Sequence, residues 1–224
     1  VINVGNIQVY SQIYSYDNVV YTPKECVPCS HVIPARARHC ARCDQCVFRF
    51  EHHCVWTNCC IGGLNYAYFL LWITSLLALT VNDTWLIIRM LREHIQETRL
   101  WQAFYMDSGG QLKPMDYTNL VQHLFMSFPL VVPMLLLLGL ISSGLAAYLV
   151  LHLWLSCTNQ TSTEFYSRSS RRRELARQRP SYCRRYYDRS SLWANLFEVF
   201  GYETTNLLRE MRRRLPAQME FKTH

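Results

Sequence analysis

Eight of the ten cysteines fall between positions 26 and 60 of this 224-residue chain, and no other feature limits the fold so tightly. In order, the metal-type side chains of this stretch read Cys26-x2-Cys29, His39-Cys40-x2-Cys43-x2-Cys46, His52-His53-Cys54 and Cys59-Cys60. Zinc takes four thiolate or imidazole ligands in a tetrahedron, and two cysteines separated by two residues can grip one ion from a tight turn. The eight cysteines together with His39, His52 and His53 exceed what one ion can hold. The spacing therefore predicts two ions but does not say which ligands pair. Two closed tetrahedra would still leave three candidates over, so a rival reading, a zinc finger that only binds, leaves part of the cluster unexplained.

Two apolar runs organise the rest. Residues 66–88 are interrupted only by Asn82 and Asp83 near one end, and residues 129–151 contain no charge. As helices rising 1.5 Å per residue, each reaches about 34 Å, enough to cross a bilayer. Both are too long and too far from the start to be a cleavable signal. With two crossings, both ends face one side. Lys and Arg number 5 in residues 1–65, 4 in 89–119 and 14 in 156–224. The positive-inside rule then puts the termini and the cysteine-rich stretch in the cytosol, where reducing conditions favour zinc over disulfides. The expected fold class is an α-helical integral membrane protein with a small irregular, β-hairpin, cytosolic two-zinc domain. Its segments are 1–23 (N-terminal, cytosolic), 24–65 (cysteine-rich), 66–88 (span), 89–128 (lumenal or extracellular loop), 129–155 (span) and 156–224 (cytosolic, with an amphipathic helix). The arginines after the second run, Arg171 to Arg173 among them, suit an anionic membrane surface, and no nucleic-acid partner is expected.

About ten residues before the first run stand Glu51, His52, His53 and Cys54. A thiolate is the nucleophile of cysteine chemistry. A neighbouring imidazole can accept its proton, and a carboxylate can hold that imidazole in the right tautomer. A nearby zinc cation would favour the thiolate over the thiol, whose unperturbed pKa is about 8.5.

The run C-x2-C, then IPARARHC-x2-C-x2-C, EHHC, a further Cys five residues on and Asn65-x3-Phe69 resembles the DHHC protein acyltransferase family over residues 26–69. Thr161, Ser162 and Glu164 resemble the family's TTxE element, and the segment around Asn195 is similar to its C-terminal motif. The resemblance implies S-acylation of cytosol-facing proteins from a fatty acyl-CoA in two steps. Cys54 would carry the acyl group, His52 would act as base, and Glu51 would orient His52. It also implies one structural zinc on Cys26, Cys29, His39 and Cys46 and another on Cys40, Cys43, His53 and Cys60. Thr161, Ser162, Glu164 and Asn195 would be structural support. Relatives usually have four spans, so two more are expected on the N-terminal side.

The chain departs from the family at four positions. Glu51 replaces Asp, which implies reduced activity; Val55 replaces Pro, Cys59 replaces Asn, and Ser162 replaces Thr. Cys59 is read as a spare thiol rather than as a ligand or second acylation site. Phe69, Trp72, Leu76 and Leu79 recur at helical spacing on the first span and, with Trp56, are candidates to line an acyl cavity. Arg36 and Arg38, near Lys24 and Arg42, are candidates to meet the CoA phosphates. Expected partners are fatty acyl-CoA, the bilayer and proteins with cysteines near the membrane. The expected location is multi-pass in an endomembrane, endoplasmic reticulum or Golgi, with the plasma membrane as the alternative. An inactive zinc-stabilised scaffold is the competing function.

Overall fold

The cysteine-rich stretch folds as three short antiparallel hairpins. Strand β1 (Glu25–Cys26) pairs with β2 (His31–Val32), β3 (Arg38–Cys40) with β4 (Gln45–Val47), and β5 (His52–Cys54) with β6 (Cys59–Ile61). Each hairpin is a sheet of its own. Isolated two-stranded pairs of two or three residues are marginal in water, so the hairpins need a holding force beyond their ladders. Each turn passes through one left-handed residue, Ser30, Asp44 and Asn58. These lie fourteen positions apart (44 − 30 = 58 − 44 = 14), so the turns repeat as well as the strands.

The computed structural model describes residues 7–18, 20–107, 109–167 and 186–201. Arg171 to Arg173 and Cys183 lie outside them. The chain divides into two compact units, one drawn from residues up to Leu71 and from Leu151 onwards, the other formed by Trp72–Val150.

In the first unit, helix α1 (Ile7–Ile13) and the Tyr14 that follows it supply aromatic cover for the hairpins. Phe48 lies between Tyr10 and Tyr14, with ring centroids 4.8 and 5.6 Å away, and Ala35, Ala37, Cys26 and Cys46 complete the cluster. After β6 the chain presses against the backbone of Phe48. The Gly63 N–H donates to the Phe48 carbonyl at 3.0 Å, and the Glu51 N–H donates to the Ile61 carbonyl at 2.9 Å. Asn65 then ties the first long helix to the hairpin, accepting from the Gly62 N–H and donating to the Cys60 carbonyl.

That helix, α2, is Tyr66–Glu97, and it outlasts the apolar run by nine residues (97 − 88 = 9). The extension is polar but helix-forming, with an i,i+4 ion pair between Arg89 and Glu93 at 2.8 Å. The second long helix, named α4 here because α3 precedes it, is Val131–Cys157. Its Pro133 sits in the first turn, where a missing N–H costs no helical hydrogen bond. Both helices are long and apolar enough to cross a membrane. Leu71, Leu79, Val81 and Leu86 of α2 and Leu136, Leu137 and Leu140 of α4 are exposed, so these are not the buried helices of a large soluble core. In the second unit, β7 (Phe104–Met106) pairs with β8 (Leu112–Pro114), and α3 (Tyr117–Ser127) starts at Asp116, whose carboxylate accepts the Asn119 N–H at 2.8 Å. A short helix, α5 (162–167), and α6 (Leu192–Val199) belong to the first unit.

The approach of Gly62 to Phe48 leaves no room for a side chain, since a Cβ there would lie 2.7 Å from the Phe48 carbonyl oxygen. Gly62→Ala is expected to cost about 1–3 kcal/mol of stability, the range for forcing an extra carbon into a packed site. Thermal unfolding in detergent checks this, and an unchanged midpoint would contradict the contact.

Candidate active site and paired metal centres

Two groups of three cysteines and one histidine come together in the hairpins. Cys26, Cys29, His39 and Cys46 form one, and Cys40, Cys43, His53 and Cys60 the other, with the ligand atoms of each within 4.8 Å of one another. In the first group, His39 Nδ1 lies 3.4 Å from the sulfurs of Cys26 and Cys29 and 4.0 Å from that of Cys46. In the second, His53 Nδ1 lies 3.7, 3.3 and 3.7 Å from Cys40, Cys43 and Cys60, and the Cys43 and Cys60 sulfurs are 3.5 Å apart. Metal–sulfur bonds of about 2.3 Å and metal–nitrogen bonds of about 2.1 Å give tetrahedral edges of about 3.8 and 3.6 Å. The donors thus stand at the corners of coordination tetrahedra, and each group could hold a metal ion. The far nitrogen of His39 faces the Asp44 carboxylate at 3.6 Å, which favours the tautomer that leaves Nδ1 unprotonated.

The groups are built by one rule applied twice. A C-x2-C turn on one hairpin is completed by a His and a Cys that face each other across the next, His39 opposite Cys46 and His53 opposite Cys60. Every ligand of the second group lies fourteen positions after its counterpart (40 − 26 = 43 − 29 = 53 − 39 = 60 − 46 = 14). A third step of fourteen falls on Cys54 and Thr57. The third turn therefore carries the first cysteine of a metal knuckle but a threonine in place of the second. No fourth hairpin follows to supply a His and a Cys, because the chain enters α2.

Cys54 is buried and belongs to neither group. Burial pushes its thiol up, but the Thr57 hydroxyl and the backbone N–H groups of Thr57 and Trp56 outweigh it and bring the pKa below that of an ordinary thiol. Cys59 also lies outside both groups, opposite Cys54 in the ladder, with its sulfur 3.3 Å from the Thr57 hydroxyl. Val55 and Trp56 stand exposed at the tip of the turn beside Cys54.

Glu51 is buried, and one of its oxygens, Oε2, accepts both the backbone N–H and the hydroxyl of Ser162 at 2.8 Å. The Thr161-Ser162-Thr163-Glu164 element is a capping box. Thr161 donates its N–H to the Glu164 carboxylate at 3.1 Å, and Glu164 donates its own N–H to the Thr161 hydroxyl at 3.2 Å. Ser162, first in α5, offers Glu51 an N–H that the short helix leaves unused. Burial holds the Glu51 carboxyl above the usual carboxylate range, opposed by the Ser162 N–H and the Arg49 charge. His52 does not receive this carboxylate, and among the described residues it makes no hydrogen bond. Its ring lies edge-on to Phe69, centroids 5.1 Å apart, and burial lowers its pKa, which keeps the imidazole neutral near pH 7. The expected contact between Glu51 and His52 is not made, and Glu51 meets Ser162 at the start of α5.

Arg36 corrects a second expectation. It is fully buried, not turned to solvent where CoA phosphates would meet it. Its guanidinium donates to both oxygens of Glu164, at 2.7 and 3.2 Å, to the Asn159 side chain and carbonyl at 3.0 and 2.9 Å, and lies 3.5 Å from Glu198. The rings of Tyr14 and Tyr187 flank it at 4.9 and 4.5 Å. Arg49 joins the same Asn159 oxygen at 2.9 Å. Arg38, Lys24 and Arg42 remain exposed. Asn195 donates to the Cys157 carbonyl and to Asp188 and accepts the Arg189 N–H, so it closes the end of α4 rather than a catalytic loop. Helix α6 buries Asn195 and Glu198 and leaves Leu192, Trp193 and Phe197 exposed, an inverted arrangement for a helix in water. On α2, Trp72 and Leu76 are half-buried and Leu79 is exposed, all three in the second unit. Thr57, Glu198 and Tyr66 were not singled out from sequence, and Asn159 and His152 were given no role there. Only the fourteen-residue repeat could have marked Thr57.

Cys54 thus follows two four-ligand groups as a cysteine that belongs to neither. The profile of the DHHC palmitoyltransferase family matches residues 20–169, and the chain belongs to that family. It is 39 % identical over 163 residues to palmitoyltransferase ZDHHC4 of Rattus norvegicus, covering 72 % of this chain and 47 % of the rat protein. It is 35 % identical to ZDHHC4 of Bos taurus, covering 89 % of this chain and 60 % of the relative. It is 30 % identical to palmitoyltransferase swf1 of Schizosaccharomyces pombe, covering 54 % of this chain and 35 % of the relative. The chain thus spans about half the length of these relatives.

Removing the Arg36 charge strands the buried Glu164 carboxylate, a change that typically costs about 3–5 kcal/mol, while Glu198 keeps Arg189 at 2.7 Å. Arg36→Leu is expected to destabilise the protein by that amount, and adding Glu164→Gln should recover part of it. Chemical denaturation of the single and double variants checks this.

Proposed function

We propose that the chain is the catalytic part of a protein S-acyltransferase that moves a fatty acyl group from acyl-CoA to cysteine thiols of proteins at the cytosolic membrane face. The observation that carries the reading is Cys54, a thiol in the position of a metal ligand but outside both ligand groups, with hydrogen-bond donors that favour its thiolate. His52 removes the Cys54 proton, and the thiolate attacks the acyl-CoA carbonyl. The new sulfur–carbon bond forms as the bond to CoA breaks, and the proton returns to the CoA sulfur. A substrate cysteine, deprotonated by the same imidazole, then attacks the acyl-Cys54 thioester and releases Cys54.

The two Cys3His groups suit zinc, the ion that such donor sets select. Bound there, zinc would fix the hairpins, and the closed sets leave no ligand position for a reactant. Both long helices are read as membrane spans of a multi-pass protein of the endoplasmic reticulum or Golgi. An apolar phase there stabilises a long acyl chain by about 0.8 kcal/mol per buried methylene. Arg38 is an exposed candidate for the CoA phosphates, and exposed Trp56 and buried Phe69 are candidates for the start of the acyl chain.

A second reading, a weakly active or inactive scaffold, draws on the Glu51 carboxylate being held by Ser162 instead of His52. Incubation of the purified protein with a clickable acyl-CoA separates the two. Hydroxylamine-sensitive label on the wild type that is lost in Cys54→Ser is the expected result; absence of label on the wild type would favour the scaffold. Glu51→Asp should hold or raise the labelling rate. Metal analysis should return two zinc ions per chain, and stripping them with a chelator should unfold the hairpins and abolish labelling together.

A further inference from the structure

Helix α4 contains no Asp, Glu, Lys or Arg and a single histidine, His152, which is 2 % exposed. An imidazole buried in an otherwise apolar helix is costly and calls for a partner and a role. The partner is Tyr66, at the start of α2, whose hydroxyl lies 2.8 Å from His152 Nδ1 and 3.3 Å from the His152 carbonyl oxygen. The His152 ring also faces the reacting groups. It stands 6.3 Å from the His52 ring and 6.0 Å from Phe69, which itself meets His52 edge-on. These four residues lie in one compact unit.

The metal groups do not account for this cluster, since none of the four residues is a ligand. No hydrogen bond joins the Glu51 carboxylate to the His52 ring; Ser162 takes the Oε2 oxygen through its N–H and hydroxyl. What remains against His52 is the wall made by Phe69 and His152. That wall is rigid because Tyr66 fixes one nitrogen of His152, and the Ser156 hydroxyl, bonded at 2.8 Å, secures the same His152 carbonyl. A ring held in this way can rotate little about its own side-chain bonds.

We propose that His152, anchored by Tyr66, is a positioning residue that fixes the orientation of the His52 ring for proton transfer at Cys54. This rests on the acyltransfer reading above. Misplacement of a catalytic group by about 1 Å can cost up to a hundredfold in rate, so a freed imidazole has a measurable effect without loss of the fold.

The test uses the full chain in detergent and palmitoyl-CoA as donor, with three readouts: the saturated rate of acyl-Cys54 formation, KM for the donor, and zinc content. His152→Ala is expected to lower the saturated rate about tenfold with KM and zinc unchanged, and Tyr66→Phe, which removes one oxygen, about threefold. In a His52→Ala background, His152→Ala should have no further effect, because it acts only through that ring. A merely structural residue would lower the rate in both backgrounds, and that result overturns the proposal, as does a wild-type rate in His152→Ala. Should His152→Ala lose zinc, Tyr66→Phe decides, and an unaltered rate there overturns the proposal. The same cycle is read in parallel from alkylation of Cys54 by iodoacetamide, which needs no acyl donor. A wild type that takes no acyl group but shows the expected coupling in alkylation sinks the acyltransfer reading and leaves the positioning role standing. Acyl transfer without the coupling sinks the positioning role alone.

Discussion

Closure of two donor tetrahedra on hairpins too short to stand alone is the constraint on which the rest of the molecule depends. Strands of two or three residues contribute few ladder bonds, whereas a bound structural zinc ion is worth about 10–16 kcal/mol in small metal-dependent folds. Because each group draws its turn cysteines from one hairpin and its cross-strand pair from the next, the ions would do more than staple loops. They set the order and spacing of all three hairpins, and so the place of Cys54 at the end of the series. Cys54 is left outside both groups by a construction rule that stops where the chain enters α2.

The second organising element is the buried guanidinium of Arg36. An isolated charge in that position would be prohibitive, and it is tolerated because Glu164, Glu198, Asn159 and two tyrosine rings surround it. One carboxylate of this set does two jobs. Glu164 closes the capping box that starts α5, and the start of α5 is where Ser162 holds Glu51. Metal scaffold, capping box and acid are therefore joined by a short series of direct contacts. The inverted burial of α6 follows from the same arrangement, since Glu198 and Asn195 must point inward to reach their partners. Leu192, Trp193 and Phe197 are what remains for the outside.

Features set by local spacing were legible in the sequence, and those set by distant partners were not. The C-x2-C pairs and the two apolar runs are short-range patterns whose physics needs no third dimension, and the hairpins and long helices follow from them. The division of ligands between two ions was not decidable from spacing alone; it came from the resemblance, because a cross-strand pair is invisible until the register is known. Arg36 and Arg38 look alike in sequence, two positions apart in one basic segment. Only the fold distinguishes them, since the acids that claim Arg36 lie 128 and 162 positions away. His152, just past the second apolar run, shows no ligand spacing in the sequence, and its neighbours Tyr66 and His52 come from two other elements. The Glu51 contact was missed for the same reason, since its partner Ser162 lies 111 positions away.

The separation between Arg36 and Glu198 also orders the events of synthesis. Translation delivers the thiol of Cys54 and every donor of the two groups by position 60, well before either acid that neutralises Arg36 exists. The clasp on Glu51 waits for Ser162, and the guanidinium is not fully compensated until residue 198 has left the ribosome. A nascent chain thus holds the Cys54 thiol in a half-built setting while the stretch from Cys54 to Glu198 is made, and the arrival of Ser162 and Glu198 completes that setting.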